Sequence, residues 1–222
     1  MSLCGKIKDG ALILSGDVLL LFDPSQFSCS NIDAGALSFK EDVNTGKNHG
    51  VFLEGDNNFV SRFLHKETVE TLNKMGAVDN NNDVNIDTGA LYFSSNLLNS
   101  LNSINTKDNR DVLINEETRI SLYGDIVYPL AKESTLENYL KEKAENVINN
   151  KLIAARYVIW NAIGRYNLKL NKFKPSKFVH FGTSREILEL LNNSISNYSY
   201  IGWKRSVSSV NKYKSISAYN SV

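Results

Sequence analysis

The 222-residue sequence predicts an α/β fold, a mixed sheet with flanking helices, followed by the start of a β-helix. Continuous apolar runs such as Ala11–Leu14 and Val18–Phe22 are typical of strands that are covered on both faces. A long helical pattern extends from Leu136 to about Tyr166. Beyond Ile195 the apolar residues recur every six positions, which is neither a helical period nor a simple strand period.

The remaining elements follow from short local patterns. Thr68–Met75 has one apolar helical face and ends before Gly76, a residue that commonly follows a helix end. In the long pattern, Ser134 and Glu137 have capping-box spacing, and a break is expected near Asn149 and Asn150. Further strands are predicted at Ala36–Phe39, Gly50–Leu53, Ala90–Phe93 and Phe178–Phe181, and further helices at Ser94–Leu101 and Thr183–Leu191, the last with a capping box of Thr183 and Glu186.

The six-residue period predicts the domain organisation. Residues 1–192 form one α/β domain and residues 193–222 begin a β-helix, in which each short side of a coil contributes one inward residue. The alternative is a run of short strands whose apolar residues have this spacing by chance. One row contains Ile195, Ile201, Val207, Tyr213 and Tyr219, and the other contains Val210, Ile216 and Val222.

Composition excludes several classes of protein. Lys and Arg number 25 and Asp and Glu 24, so no excess charge is available for general binding to nucleic acid or to a membrane surface. The two cysteines cannot form a disulfide framework or a multi-cysteine zinc site, so a reducing cytoplasm is the expected compartment. The most apolar run, Ala11–Phe22, is interrupted by Gly16 and Asp17 and is too short to span a bilayer.

Ser15-Gly16-Asp17 is the first candidate site, because it follows the first strong strand. Ligands of open α/β sheets bind beyond the carboxyl ends of strands, and a carboxylate there can hold Mg²⁺ together with phosphate oxygens. The alternative is an aspartate that starts a turn between two strands.

Two further candidates lie in the middle of the chain. Asp87-Thr88-Gly89, between two apolar segments, could bond to sugar hydroxyls while the glycine leaves room for the ring, or it could be a tight turn. Lys66 directly precedes a helix and could meet a phosphate, or it could be a solvated surface lysine.

The last candidates depend on helix ends and on histidine. The helix start at Gly182 and Thr183, with Arg185, could bind an anion or could be an ordinary capped helix. Asp125 could be a second metal ligand or a helix cap. His49 and His65 are not spaced as metal ligands with each other or with a cysteine, so metal binding through histidine is not expected.

Taken together, these segments resemble the fucose-1-phosphate guanylyltransferase (GDP-fucose pyrophosphorylase) family, whose domain occurs alone or fused to a fucokinase. The resemblance extends from about residue 4 to the end of the chain. The matching segments, in order, are Leu14–Leu20, Asn48–Phe52, Phe63–Lys66, Ile86–Ala90 with Tyr92–Ser95, Ser121–Asp125 and Phe178–Thr183.

The resemblance implies a nucleotidyltransferase-like sheet followed by a β-helix, and formation of GDP-fucose and pyrophosphate from GTP and fucose 1-phosphate with Mg²⁺. It implies that Asp17 holds Mg²⁺, with Asp125 as a second ligand, and that Lys66 neutralises the sugar phosphate. The implied substrate-binding residues are His49, Gly50, Asp87, Thr88, Gly89, Gly182 and Thr183.

Relatives open with a glycine-rich loop that binds the nucleotide phosphates, and nothing before Ala11 supplies it. We therefore expect residues 1–192 to be a domain that keeps its fold and, without the loop, loses most of its catalysis. The other hypotheses are a pyrophosphorylase for a different sugar 1-phosphate, and an inactive module that binds sugar nucleotides or mediates assembly.

Overall fold

The computed structural model describes residues 7, 9–143 and 148–190. The chain divides into two compact units, one of Met1–Ser15 with Leu20–Phe178 and one of Gly16–Leu19 with Val179–Val222. The two six-residue rows from Ile195 to Val222 lie outside the described residues, so the β-helix stays a prediction.

The described residues form eight strands and seven α-helices, joined by short 3₁₀ turns and one π-helical segment, Leu122–Val127. The strands are β1 (Ala11–Leu14), β2 (Val18–Phe22), β3 (Ala34–Asp42), β4 (Gly50–Glu54), β5 (Val60–His65), β6 (Asp83–Phe93), β7 (Leu168–Lys172) and β8 (Ser176–His180). The helices are α1 (Val43–Gly46), α2 (Val69–Lys74), α3 (Ser95–Ser103), α4 (Lys107–Leu113), α5 (Leu136–Lys141), α6 (Asn150–Ile163) and α7 (Ser184–Glu189). No helix in the described residues is long and apolar enough to cross a membrane.

Six strands form a mixed sheet in the order β5-β4-β6-β3-β7, with β1 also paired to β6. The β3–β7 pair is parallel, whereas β1, β3 and β4 each pair with β6 in the antiparallel direction. β2 and β8 form a separate two-stranded sheet. The prediction of a mixed α/β sheet with flanking helices is thereby confirmed.

Both faces of the sheet are covered at β4, whereas the apolar runs of β1 and β2 that predicted such strands are only partly buried, with Leu14 57% exposed. On β4, Val51 packs in a cluster with Leu72 of α2, whereas the next residue, Phe52, packs in the large core that includes Ile159 of α6. Successive side chains of a strand point to opposite faces, so a strand buried on both faces has no polar positions to alternate.

Local sequence patterns predicted most helix ends correctly. Gly76 lies in the left-handed region at φ 72° after α2, and the long helical pattern is broken as predicted, with Asn149 capping α6. The capping box of Thr183 and Glu186 is also confirmed. The predicted box of Ser134 and Glu137 is wrong, because the cap is the neighbouring Thr135 and the Ser134 hydroxyl donates to the Ala131 carbonyl at 2.6 Å.

The segment around Asp87-Thr88-Gly89 is not a turn. β6 runs through it without a break, but its pairing with β3 shifts between Ala36 and Ser38, which face Leu91 and Asp87 respectively. Two residues of β3 therefore span four residues of β6. The bulge is accommodated by Gly89 at φ 70°, a conformation that favours glycine.

A buried ion pair joins three helical segments. The Arg156 Nε of α6 donates to Asp125 Oδ1 at 2.8 Å, and the arginine and aspartate side chains are 0% and 1% exposed. The Arg156 Nη1 donates to the carbonyls of Tyr139 and Glu142 at the end of α5, at 2.9 and 2.8 Å, and Tyr139 donates its hydroxyl to the Asp125 carbonyl at 2.8 Å. Asp125 Oδ2 accepts from the Ser121 N–H at 2.7 Å.

The hydrogen bonds of Asp125 bear on whether it is a metal ligand or a helix cap. Both carboxylate oxygens accept hydrogen bonds from protein donors, and one of the donors is the backbone N–H of Ser121, the residue that caps the π-helical segment. Asp125 therefore lies within the segment as the partner of Arg156 and of the Ser121 N–H, and we do not retain it as a metal ligand.

We expect Arg156→Met to lower the free energy of unfolding by about 3–5 kcal/mol, because it leaves the Asp125 carboxylate buried without its partner. Urea denaturation measures the change. Lys141→Ala is the matched control, since it removes the exposed ion pair with Glu137 and should change the free energy by about 0.5 kcal/mol or less. A loss below about 1 kcal/mol for Arg156→Met would contradict the assignment.

Candidate functional site

In the first unit, the ends of two strands bring His49, Gly50, His65 and Lys66 together. Gly50 at the start of β4 pairs with His65 at the end of β5, and the Lys66 N–H donates to the His49 carbonyl at 2.9 Å. The His49 ring also makes an edge contact with Phe178, with ring centres 5.2 Å apart. Residues from two different sequence motifs are therefore close together in space.

Gly50 is required by close packing beside Asp87. A Cβ at this position would lie 2.6 Å from the Phe63 ring and 3.0 Å from Asp87 Cβ. The glycine therefore lets Phe63 and the bulge of β6 approach β4. This contact is the packing basis for placing Gly50 and Asp87 in one candidate site.

Asp87 is a buried carboxylate with an altered acidity. It is 6% exposed, and its Oδ1 accepts a hydrogen bond from the Gly89 N–H at 2.9 Å. Burial raises the pKa of the Asp87 carboxyl to about 6, against the opposing effect of that hydrogen bond. A ligand hydroxyl that donated to this carboxylate would offset part of the desolvation.

Gly89 is in contact with Ser15 and lies near Tyr123. A Cβ on Gly89 would lie 2.6 Å from Ser15 Oγ and 3.7 Å from the Tyr123 hydroxyl, and the Ser15 N–H donates to the Gly89 carbonyl at 2.9 Å. Because a Cβ here would collide with Ser15, the glycine lets the Ser15 side chain pack directly against β6, with the Tyr123 hydroxyl nearby.

Thr88 has a different environment from its neighbours Asp87 and Gly89. The Thr88 side chain is fully buried and donates its hydroxyl to the Leu37 carbonyl of β3 at 2.6 Å. Its hydroxyl holds the bulge in place, so we leave Thr88 out of the candidate site.

Aromatic rings line this region, and two of them were not predicted as site residues. His65 stacks with Phe63 and with Tyr123, with ring centres 5.9 and 5.5 Å apart. Both His65 and Tyr123 lie inside the motifs that carry the family resemblance. Their positions within those motifs were the available signal, but a single sequence does not show which way a ring points.

Lys66 has an unusual backbone. It lies in the left-handed region at φ 52°, and in the part of the chain that the structure describes it is the one residue there that is neither glycine nor asparagine. Such a conformation costs a lysine about 1–2 kcal/mol and is found preferentially at functional sites. The exposed side chain at the end of β5 is consistent with a charge held for a ligand.

In the second unit, His180 lies between two carboxylates. Its Nδ1 is 2.8 Å from Glu186 Oε1, and its Nε2 is 3.5 Å from Asp17 Oδ2. The Phe181 N–H donates to the Asp17 carbonyl at 2.9 Å, which aligns the two segments. The hydrogen bond with His180 lowers the pKa of the Glu186 carboxyl.

Gly182 and Thr183 have different roles in this unit. A Cβ on Gly182 would lie 2.8 Å from both Asp17 Oδ2 and His180 Nε2, so these two side chains pack closely against the glycine. Thr183 is the cap of α7, and its hydroxyl donates to Glu186 Oε2 at 2.8 Å. Arg185 pairs with Glu189 at 2.8 Å, so the ordinary capped helix accounts for this end of α7.

Asp17 is the carboxylate that fits the predicted metal role. Its side chain is 51% exposed, in contrast to that of Asp125. Among the described residues, no group of three or more His, Cys, Asp and Glu side chains is arranged to hold a metal ion. A site that uses Asp17 would therefore take further oxygens from substrate phosphates and water, as Mg²⁺ commonly does.

Comparison with known proteins identifies the family. All 222 residues match the fucose pyrophosphorylase domain, so the chain belongs to this family. The chain is also similar to the bifunctional fucokinase/GDP-fucose pyrophosphorylase of Arabidopsis thaliana, with 25% identity over 198 residues. This match covers 84% of the chain and 18% of the Arabidopsis protein's length. The family resemblance inferred from the sequence motifs is confirmed.

We expect the acidity of Asp87 to appear in the pH dependence of folding. Its pKa of about 6 lies above the ordinary value of 3.8, so the protonated carboxyl favours the folded state. This contribution is complete below about pH 4 and is lost as the pH rises through 6, which amounts to about 3 kcal/mol.

Asp87→Asn should remove this pH-dependent loss and raise the free energy of unfolding at pH 8, since asparagine keeps the acceptor for the Gly89 N–H. Urea denaturation between pH 4 and 8 measures the effect. Asp56→Asn, at an exposed loop position, is the matched control. An unchanged pH profile in Asp87→Asn would show that Asp87 does not carry the effect.

Proposed function

We propose that this chain is a sugar-1-phosphate guanylyltransferase domain that forms GDP-fucose and pyrophosphate from GTP and fucose 1-phosphate. The observation that carries the proposal is the constellation at the ends of β4 and β5, where a left-handed Lys66 follows directly after the pair of Gly50 and His65. The family membership and the partial match to a GDP-fucose pyrophosphorylase support it.

The first unit offers groups for a phosphorylated sugar. Lys66 supplies a positive charge for the sugar phosphate, and the surrounding structure keeps it in its left-handed conformation after β5. Asp87 accepts hydrogen bonds from sugar hydroxyls, and Gly89 lets the Ser15 hydroxyl pack beside it, with the Tyr123 hydroxyl nearby. These groups bind and orient the nucleophile.

In the proposed reaction, an oxygen of the sugar phosphate forms a bond to the α-phosphorus of GTP. The bond from that phosphorus to the β-bridging oxygen breaks, and pyrophosphate leaves with the electron pair. Since no protein group forms a covalent bond, catalysis depends on positioning and on neutralisation of charge. A near-neutral protein suits this task, because local cationic groups suffice for small anionic substrates.

Mg²⁺ is the proposed cofactor, and Asp17 is the residue that would hold it. The fit rests on its carboxylate, which is half exposed and so can be reached by an ion from solvent. When bound, the ion supplies positive charge to the triphosphate. The substrates, the cofactor, a fused or neighbouring fucokinase and a cytoplasmic location are all part of the proposal.

The test is release of pyrophosphate from GTP and fucose 1-phosphate by the complete gene product that contains these 222 residues. We expect Mg²⁺-dependent turnover that Asp17→Ala abolishes. Turnover with another sugar 1-phosphate would show a different specificity. Binding of GDP-fucose in calorimetry without turnover for any pair of substrates, unchanged in Asp17→Ala, would overturn the enzyme and favour a sugar-nucleotide-binding or assembly module.

We expect Lys66→Gly to separate catalysis from folding. Glycine relieves the left-handed strain, so the free energy of unfolding should be unchanged or rise by up to about 1 kcal/mol. Loss of the ammonium group should lower turnover by about 100-fold or more. The measurements are urea denaturation and steady-state kinetics with varied fucose 1-phosphate.

Asn58→Gly is the matched control for Lys66→Gly, because Asn58 also has a left-handed backbone, at φ 61°, and carries no charge. It should leave turnover unchanged. Wild-type turnover in Lys66→Gly would remove Lys66 from the catalytic residues.

A further inference from the structure

Three aromatic rings lie side by side on the β5 side of the candidate site of the first unit. The ring centre of His65 is 5.9 Å from that of Phe63 and 5.5 Å from that of Tyr123, and the centres of Phe63 and Tyr123 are 6.2 Å apart. The planes of the three rings are within 29° of one another. In a linear stack the two outer rings would be about twice as far apart as neighbouring rings, so these rings form a wall and not a column. We call the three rings the aromatic wall.

One end of the aromatic wall is fixed in the core. Phe63 is 3% exposed, and its ring centre is 5.2 Å from that of Phe52, which belongs to the large core. His65 and Tyr123 are half-buried, so part of each residue remains accessible. Packing against Phe63 therefore holds two partly accessible rings in a fixed orientation.

The aromatic wall lies beside the polar groups of the same site. A Cβ on Gly50 would lie 2.6 Å from the Phe63 ring and 3.0 Å from Asp87 Cβ, so the wall and the Asp87 side chain meet at this glycine. A Cβ on Gly89 would lie 3.7 Å from the Tyr123 hydroxyl, which brings the other end of the wall to the bulge of β6. The site therefore combines a carboxylate that accepts hydrogen bonds with the apolar faces of aromatic rings.

This combination suits a sugar that carries a methyl group. The hydroxyls of a sugar donate to a carboxylate, whereas its C–H groups form an apolar face that can pack on aromatic rings. A 6-deoxy sugar has a methyl group where an ordinary hexose has a hydroxymethyl group, so its apolar face is larger. Burial of that methyl group against ring faces removes apolar surface from water and leaves no hydrogen bond unmade.

We propose that His65 and Tyr123 bind the apolar face of a 6-deoxy sugar 1-phosphate and contact its methyl group. The two residues then determine the preference for the deoxy sugar over the pentose that lacks this methyl group. The inference rests on the proposed function, which assigns Asp87 to the sugar hydroxyls and Lys66 to the sugar phosphate. One methylene-sized group in an apolar pocket changes kcat/KM by about 10–200-fold, which sets the size of the expected preference.

The alternative ligand for the aromatic wall is the guanine base of GTP, which would stack on the same ring faces. The contact of the wall with Gly50, directly beside Asp87, favours the sugar, because the base has no use for a carboxylate acceptor and a neighbouring phosphate-binding lysine together. The two assignments differ in which substrate has its KM raised when the wall is changed.

The experiment compares kcat/KM of the complete gene product for fucose 1-phosphate and for D-arabinose 1-phosphate, which has a hydrogen in place of the methyl group. We expect the wild type to prefer fucose 1-phosphate by about 10–100-fold. Tyr123→Ser should lower this preference by at least about fivefold, through a higher KM for fucose 1-phosphate and with an unchanged KM for GTP. Tyr123→Phe keeps the ring and should keep the preference of the wild type.

Tyr128→Ser is the matched control for Tyr123→Ser. Tyr128 is also half-buried and also stacks on an aromatic ring, that of Tyr139 at 6.0 Å between ring centres, but it is not part of the aromatic wall. It should leave the preference unchanged even where it lowers stability, because a ratio measured on one preparation does not depend on the amount of folded protein.

An unchanged preference in Tyr123→Ser, or a wild type that does not prefer fucose 1-phosphate, would overturn the proposal. A higher KM for GTP alone in Tyr123→Ser would overturn it in favour of the guanine base.

Saturation-transfer NMR distinguishes failure of this inference from failure of the proposed function, because it requires binding and no turnover. With fucose 1-phosphate and without GTP, irradiation of the aromatic protons of the complete gene product should saturate the sugar methyl group more strongly in the wild type than in Tyr123→Ser. A gene product that shows this difference and forms no GDP-fucose would keep the aromatic wall and lose the assigned reaction. Equal saturation in the two proteins would overturn the role of the wall whether or not turnover occurs.

Discussion

The arrangement of the helical half of the first unit depends on the buried ion pair of Arg156 and Asp125. A guanidinium removed from water needs hydrogen-bond partners, and Arg156 finds them in Asp125 and in the carbonyls of Tyr139, Glu142 and Lys143 at the end of α5. These bonds tie α5, α6 and the π-helical segment to one another. The same segment carries Tyr123, whose hydroxyl lies near Gly89. The ion pair therefore stabilises the core and positions one wall of the candidate site.

The candidate site of the first unit is built from places where the backbone departs from regular geometry. β6 accommodates two extra residues at Thr88 and Gly89, and the Thr88 hydroxyl satisfies a carbonyl on β3 that the bulge would otherwise leave exposed to apolar surroundings. Lys66 follows β5 in a left-handed conformation. Both departures put a polar group beside a strand end, Asp87 next to the start of β4 and Lys66 after the end of β5. The strain and the desolvated Asp87 carboxyl are therefore costs that a bound ligand would offset.

Much of the fold could be predicted from local sequence patterns. Strands covered on both faces, helix caps and the Asn149 break each follow from a few adjacent residues, because the physical causes are hydrogen bonds and side-chain burial within one element. The strands that were missed have a distant cause. β5 and β7 were not predicted as strands, since their pairing with β4 and β3 is decided by the whole sheet. Ser134 was chosen over Thr135 as a cap because both residue types suit the role, and only the neighbouring carbonyl of Ala131 distinguishes them.

By itself, the sequence determined the α/β class, the family and the candidate segments, because residue types, their order and their periodicity carry that information. Only the tertiary structure decided which residues of different segments lie close together in space. It placed Asp125 in the core opposite Arg156, directed Thr88 into the sheet, and set His180 beside Asp17 although the two are far apart in sequence. These arrangements depend on distances in space, and the pairing of strands and the packing of helices set those distances.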